Sequence, residues 1–304
     1  MTKLSLAREK LIEMYITSLK EEQLPWRKRW IGGSNMNGVS KKAYKGVNQL
    51  LLSLVASNRK YTDPRWFTYV QVQKSGYKLK DAKGQGVPVE FWSAYDKKNK
   101  KKIDFSDYEK IIEAHPEEKE NYTIFCNGTF VYNAAHVEGL PELKVNKEMA
   151  NVKIPKFIDN IFKNLGVKYS ESGNKAFYRP STDEIVLPPR EKFIDKYSYY
   201  ATQLHELCHS TGHEKRLNRN LGSNDERDYA REELIAEISS SFLMQKLKVE
   251  ATAEHYDNHK TYIQSWIKIL EDKPNELFKA INESNKVFDY IDKNSKVKNK
   301  EKER

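Results

Sequence analysis

The chain has 304 residues, 53 Lys/Arg against 43 Asp/Glu for a net charge of +10, and two cysteines. That length suits two domains better than one core, and two cysteines exclude a disulfide framework. No apolar run approaches the ~18 residues that span a bilayer, and Arg8, Glu9, Lys10 and Glu13 interrupt any signal-peptide core, so a cytoplasmic protein without a membrane partner is expected. The first 95 residues hold 17 Lys/Arg and 7 Asp/Glu, a bias that points to a polyanionic partner.

In chain order, Leu4, Leu11, Tyr15 and Leu19 recur at helical spacing and predict a helix over 3–22 that Pro25 ends. Residues 31–46 read as a Gly- and Asn-rich loop, 47–58 as a second helix, and Pro64 as the start of a third, WFTYVQVQKSG, stopped by Gly76. VPVEFWSAY (87–95) alternates as a strand, and its partner is YTIFCNGTFVYN (122–133). Between them, residues 96–121 are almost all charge and read as an extruded insertion, partly disordered or weakly helical. Residues 141–152 read as a linker. A helix at 153–165 follows, then a hairpin of KAFYRP and DEIVLPP, a long helix with the histidines, a polar loop (213–227), a helix (228–247), and helices at 252–271 and 274–292. A charged tail covers 293–304. The expected class is α+β: an N-terminal α+β nucleic-acid-binding domain (1–140) and a C-terminal, mostly helical domain (153–292) with a small hairpin.

His205-Glu206-Leu207-Cys208-His209 is an H-E-x-x-H motif. A separation of four puts both imidazoles on one helix face, within reach of one Zn²⁺, or of manganese or another divalent cation. Glu206 projects toward the open side of such a centre and is the expected general base. Cys208 points away and reads as packing. A hairpin just before the helix matches the layout of zincin metallopeptidases. His213 follows His209 by four residues, not the six of the three-histidine pattern, and Gly212 ends the helix; His213 is either a structural neighbour or an alternative ligand. A third ligand comes from AREELIAEISSSFLMQKL, where Glu233 and Glu237 share a helix face. Glu233 as ligand with Glu237 behind a histidine is one assignment; the reverse is the other.

The first third interleaves cations with rings: PWRKRW, KKAYKG, YTDPRWFTY and SGYKLKDAKGQG. Cations neutralise phosphates, and rings stack on unpaired bases, which favours single strands over duplex. Trp26, Arg27, Lys28, Arg29, Trp30, Lys41, Lys42, Tyr44, Lys45, Arg65, Trp66, Tyr69, Lys78, Lys80 and Lys83 are the candidate contacts. The competing reading puts the tryptophans in a core.

Taken together, PWRKRW, AYKGVNQLLL, PRWFTYVQVQKSG, KGQGVPVEFW, AFYRPSTDEIVLPPREKF, YYATQLHELCHSTGHEKRLNR, YAREELIAEISSSFL and YIQSWIKIL resemble the ArdC-type antirestriction proteins of conjugative plasmids and other mobile elements. The N-terminal half is also similar to TraC-type plasmid primases. The resemblance implies an N-terminal domain that binds single-stranded DNA, a C-terminal zincin-like metallopeptidase domain, and protection of incoming DNA from host restriction. It matches His205 and His209 to metal histidines and Glu206 to the base, and it leaves 96–121 as an insertion. Two alternatives stay open: a protease that cleaves a host restriction protein or another DNA-bound protein, and a DNA-binding module whose metal is structural.

Overall fold

The computed structural model describes residues 4–21, 34–143, 150–193, 196–222, 225–247 and 260–295. Helix α1 spans Leu6–Lys20, with the Ser5 hydroxyl accepting from the Arg8 N–H as its cap. Its buried stripe is Ala7, Leu11, Tyr15 and Leu19. A two-residue strand, β1 (Met36–Asn37), lies inside the expected loop. Helix α2 (Gly46–Asn58) is enclosed on all sides, since Leu50, Leu51, Leu52 and Leu54 are all fully buried. It starts at Gly46 with φ +56°, where a Cβ would lie 2.8 Å from the Asn285 amide nitrogen, so only glycine fits.

Pro64 opens a strand rather than the expected helix: β2 covers Arg65–Thr68, and helix α3 only Tyr69–Lys74. Trp66 joins the main core while Phe67 joins a second cluster with Val72, Ala134 and Val137. Two adjacent large side chains buried in different clusters need the alternation of a strand. Thr68 then starts the helix through a capping box with Gln71. There follow β3 (Lys78–Leu79), β4 (Val87–Asp96), β5 (Lys101–Asp104), α4 (Phe105–Ala114), a 3₁₀ turn at 116–121, β6 (Tyr122–Asn133) and β7 (Val137–Glu138). Strands β4 and β6 pair antiparallel from Val87↔Val131 to Asp96↔Tyr122, as expected. The main sheet runs β1-β2-β6-β4-β5, and β3 pairs with β7.

The charged stretch 96–121 contains a helix, one of the two readings its composition allowed. It adds β5 to the sheet edge and folds α4 back over it. Phe105 tilts against Trp92 at 5.9 Å and Tyr108 meets Tyr122 edge-on at 5.4 Å. These two anchors outweigh the charges around them.

The second half comprises α5 (Ala150–Leu165), β8 (Lys168–Glu171), β9 (Phe177–Arg179), β10 (Glu184–Leu187), α6 (Lys196–Ser210), α7 (Glu226–Leu247), α8 (Lys260–Asp272) and α9 (Asn275–Asn294). The expected hairpin is β9–β10. A third strand, β8, runs parallel to β10, so β9 is an edge. The expected start of the penultimate helix at 252 and the tail from 296 lie outside the described residues.

The two halves keep separate sheets but share one core. A single cluster of buried side chains runs from Ala7, Leu11 and Leu50 to Leu234, Ile281 and Ile291. Helix α1 packs on α8, and α2 on α9. Buried Gln49 and Ser53 of α2 hydrogen-bond Gln245 of α7. Among the described residues no helix is long and apolar enough to cross a membrane.

Candidate metal centre

Every residue of α7 from Glu232 to Gln245 is buried. Its leucine and isoleucine face packs into the core, while three carboxylates turn toward α6. Buried carboxylates need cations or donors, and α6 supplies two imidazoles. The Nε2 atoms of His205 and His209 face each other at 3.0 Å. Glu233 sits across from both, Oε2 3.5 Å from His205 Nε2 and Oε1 3.4 Å from His209 Nε2. The donor atoms of these three residues all lie within 4.8 Å of one another. Two imidazoles and a carboxylate converging on one point form a donor set that fits a divalent cation.

Each histidine is backed by a carboxylate. Glu237 lies 3.7 Å from His205 Nδ1, and Glu232 lies 3.2 Å from His209 Nδ1. Glu232 is held in turn by Arg219, with contacts of 2.6 and 3.1 Å, and Arg219 also donates to Thr211 and to the Cys208 carbonyl. Sequence reasoning gave Glu232 and Arg219 no role. The signal was a pair of adjacent glutamates running straight into the apolar residues Leu234, Ile235 and Ala236.

Charge follows geometry. Burial pushes the His209 imidazole down, but hydrogen bonds to Glu232 and Glu233 outweigh it and leave the group well above its ordinary value. His205 is also raised, because the Glu237 charge and the Glu233 hydrogen bond overcome burial. Burial alone would raise Glu233; the two imidazoles instead hold it far below the carboxylate range. The cluster therefore demands positive charge between its carboxylates, from protons or from a cation.

Glu206 is buried beside this point, and burial raises its carboxyl above the usual range against the pull of His205 and His209. The backbone N–H of Tyr178 on β9 hydrogen-bonds it. A cleft of about 620 Å³ runs between β9, α6 and α7, and His205, Glu206, His209 and Glu233 open into it. Arg216 holds the β9–β10 turn beside the helix: its guanidinium engages Asp183 and the Tyr178 hydroxyl (3.2 Å), and its Nε donates to the Ser210 carbonyl at 2.7 Å.

His213 lies outside the cluster of three. Its Nδ1 accepts the Lys215 N–H at 3.2 Å. Helix α6 does end before Gly212, but the glycine is needed for space, because a Cβ there would lie 2.3 Å from Leu221. Cys208 is fully buried in the core.

The expected nucleic-acid contacts scatter. Trp26, Arg27, Lys28, Arg29 and Trp30 lie outside the described residues. Trp66 is fully buried with its indole N–H on Asn35 at 2.7 Å, and Arg65 is buried and doubly hydrogen-bonded to Asp63. These two are core groups and present no free face to a base. Tyr44 is half-buried against the main core. Lys41, Lys42, Tyr69, Lys78, Lys80 and Lys83 are exposed, as is Lys45, which pairs with Asp289 at 2.9 Å.

Two family descriptions match in chain order: the N-terminal domain of anti-restriction factor ArdC over residues 6–131, and a zincin-like metallopeptidase over residues 156–283. Two DNA primases named TraC from Escherichia coli are 35% and 33% identical across 93% of this chain. The chain spans only 20% and 27% of their lengths. An uncharacterised protein of Sinorhizobium fredii, y4eC, is 31% identical over 84% of this chain and 80% of its own. Crystal structures of the antirestriction ArdC protein from plasmid R388 superpose with TM-scores of 0.71 (metal-free, 28% identical, 96% of this chain and 98% of that one) and 0.72 (Mn(II)-bound, 29% identical, 97% and 100%).

Proposed function

Because the chain belongs to the family of ArdC antirestriction proteins, with an ArdC N-terminal domain followed by a zincin-like metallopeptidase domain, we propose that it is a mobile-element protein that binds single-stranded DNA and holds a divalent metal at His205, His209 and Glu233. The observation that carries the metal half is the convergence of the two facing Nε2 atoms and the Glu233 carboxylate. Zinc suits the donor set, and manganese is the other candidate, since the R388 relative was solved with Mn(II). A bound divalent cation supplies Lewis acidity toward a peptide carbonyl. Glu237 and Glu232 orient the two imidazoles through Nδ1. Glu206, its carboxyl raised by burial, takes a proton from water and returns it to the leaving amine. The edge strand β9 offers its backbone to an extended peptide lying in the cleft. A host restriction protein or another DNA-bound protein is the peptide substrate on this reading.

One set of measurements tests it. Wild type and Glu206→Gln are compared for metal content, for single-strand binding by fluorescence anisotropy, and for cleavage of a DNA-bound protein. The expectation is equal metal and equal DNA affinity, with cleavage only by wild type. Single-strand binding no tighter than duplex binding would remove the DNA half. Cleavage by neither protein, with antirestriction intact in both, would leave the metal a structural role.

A further inference from the structure

We infer that the exposed far end of the paired strands β4 and β6, on the face of Phe91, Tyr95 and Phe125, with the lysine-rich turn before β5, is the platform on which single-stranded nucleic acid stacks. The inference rests on the single-strand reading above and moves the contact to residues outside the set that the sequence singled out. Alternation puts Phe91 and Tyr95 on one face of β4, and the pairing of Phe125 with Ser93 places its ring on that face between them. The three rings are 43%, 37% and 46% exposed, whereas Val87, Val89 and Val131, which continue the same face inward, are buried. Three wet aromatics around a small buried serine add nothing to the core, and such a patch marks a contact surface.

Charge says what the contact is. Residues 97–102 hold five lysines in six positions, and Lys102 is the cross-strand partner of Tyr95, so its ammonium sits on the ring face. Helix α4 and its carboxylates lie on the opposite face, because Trp92 and Tyr122, which its Phe105 and Tyr108 touch, alternate away from the rings. Asp104, across from Ser93, is the carboxylate that shares the ring side. Rings at a diagonal spacing of about 7–8 Å beside a row of cations suit unpaired bases on a phosphate backbone. A duplex hides its base faces and cannot use them.

The test uses the full chain and labelled oligonucleotides across a salt series. A ring variant (Phe91→Ser, Tyr95→Ser, Phe125→Ser) and a lysine variant (Lys98→Gln, Lys100→Gln, Lys101→Gln, Lys102→Gln) change only exposed side chains, and thermal melts verify that both fold. The ring variant loses about tenfold or more in single-strand affinity with the salt slope kept. The lysine variant flattens the slope by about 0.7 for each phosphate contact removed. If wild type binds single strands and the ring variant binds equally well, the platform is overturned while the single-strand reading stands. If wild type binds none, both fall. Self-association that the ring variant abolishes, with DNA affinity unchanged, overturns the platform in favour of a second copy of the chain.

Discussion

Glu233 and Glu232 are neighbours in sequence but face the histidines from different sides. Glu233 meets both Nε2 atoms, the lone-pair side, while Glu232 meets the Nδ1 of His209 alone and is neutralised by Arg219. The two should fail differently. Glu233→Ala removes a donor, so the purified protein is expected to lose stoichiometric metal. Glu232→Gln leaves all three donors and disturbs only the orientation and basicity of His209, an effect of about 10–100-fold in affinity. Competition with a chromogenic chelator measures both. Full metal occupancy in Glu233→Ala would sink its assignment as a ligand, and an unchanged affinity in Glu232→Gln would reduce it to an ion pair for Arg219.

At the scale of elements, the β9–β10 turn and the end of α6 are joined by Arg216 and Asp183, whose side chains are 4% and 22% exposed. Burial pushes the Asp183 carboxyl up, but hydrogen bonds from Arg216 and Tyr178 and the Arg216 charge bring it below its usual value. A depressed carboxylate stabilises the fold above its unfolded pKa of about 3.9, and that contribution fades as pH falls through the lower folded value. Arg216→Ala is therefore expected to lower stability by about 2 kcal/mol near neutral pH. Denaturant melts from pH 7 down to about 3 should show the gap to wild type closing only below about pH 4. A gap that stays constant through the acid range would mean Asp183 is not the group involved. The clamp also shows what the sequence could carry. The H-E-x-x-H spacing fixes two imidazoles on one helix face whatever surrounds them, and the β9–β10 hairpin announces itself by its turn residues. The pairings of Arg216 with Asp183 and of Arg219 with Glu232 depend on how residues 211–222 fold back, and no local pattern encodes that. WFTYVQVQ was ambiguous for a different reason: a short apolar run fits a helix or a strand, and the burial of Trp66 and Phe67 in different clusters decided it. Within 96–121 the composition leaves open how much is helical, because it averages over Phe105 and Tyr108, the two positions that anchor α4.

At the scale of the molecule, the halves that the family descriptions separate are physically joined. The apolar stripes of α1 and α2 pack on α8 and α9, Lys20 pairs with Glu271 and Lys45 with Asp289, and buried Trp66, Asn35, Ser53 and Gln245 form one hydrogen-bonded chain from β2 to α7. Helix α7 is also the one that carries Glu232, Glu233 and Glu237. Exposing α1 and α2 would uncover four fully buried leucines of α2 alone, each stabilised by roughly 1.5–3 kcal/mol in the core. The expectation is one cooperative unfolding transition for the whole chain. Because metal binds only the folded state, a concentration of 100 times its Kd adds about 2.7 kcal/mol, a rise of roughly 5 °C for a chain of this size. That rise should appear equally in a probe on the basic half, such as a dye on Cys126, which is exposed on β6, and in the far-UV signal of the helical half. Two resolved calorimetric transitions, with only the later half shifted by metal, would show that the shared core does not couple them. A single shifted transition means that losing metal at His205 and His209 weakens the fold beneath the five-stranded sheet of the basic half as well.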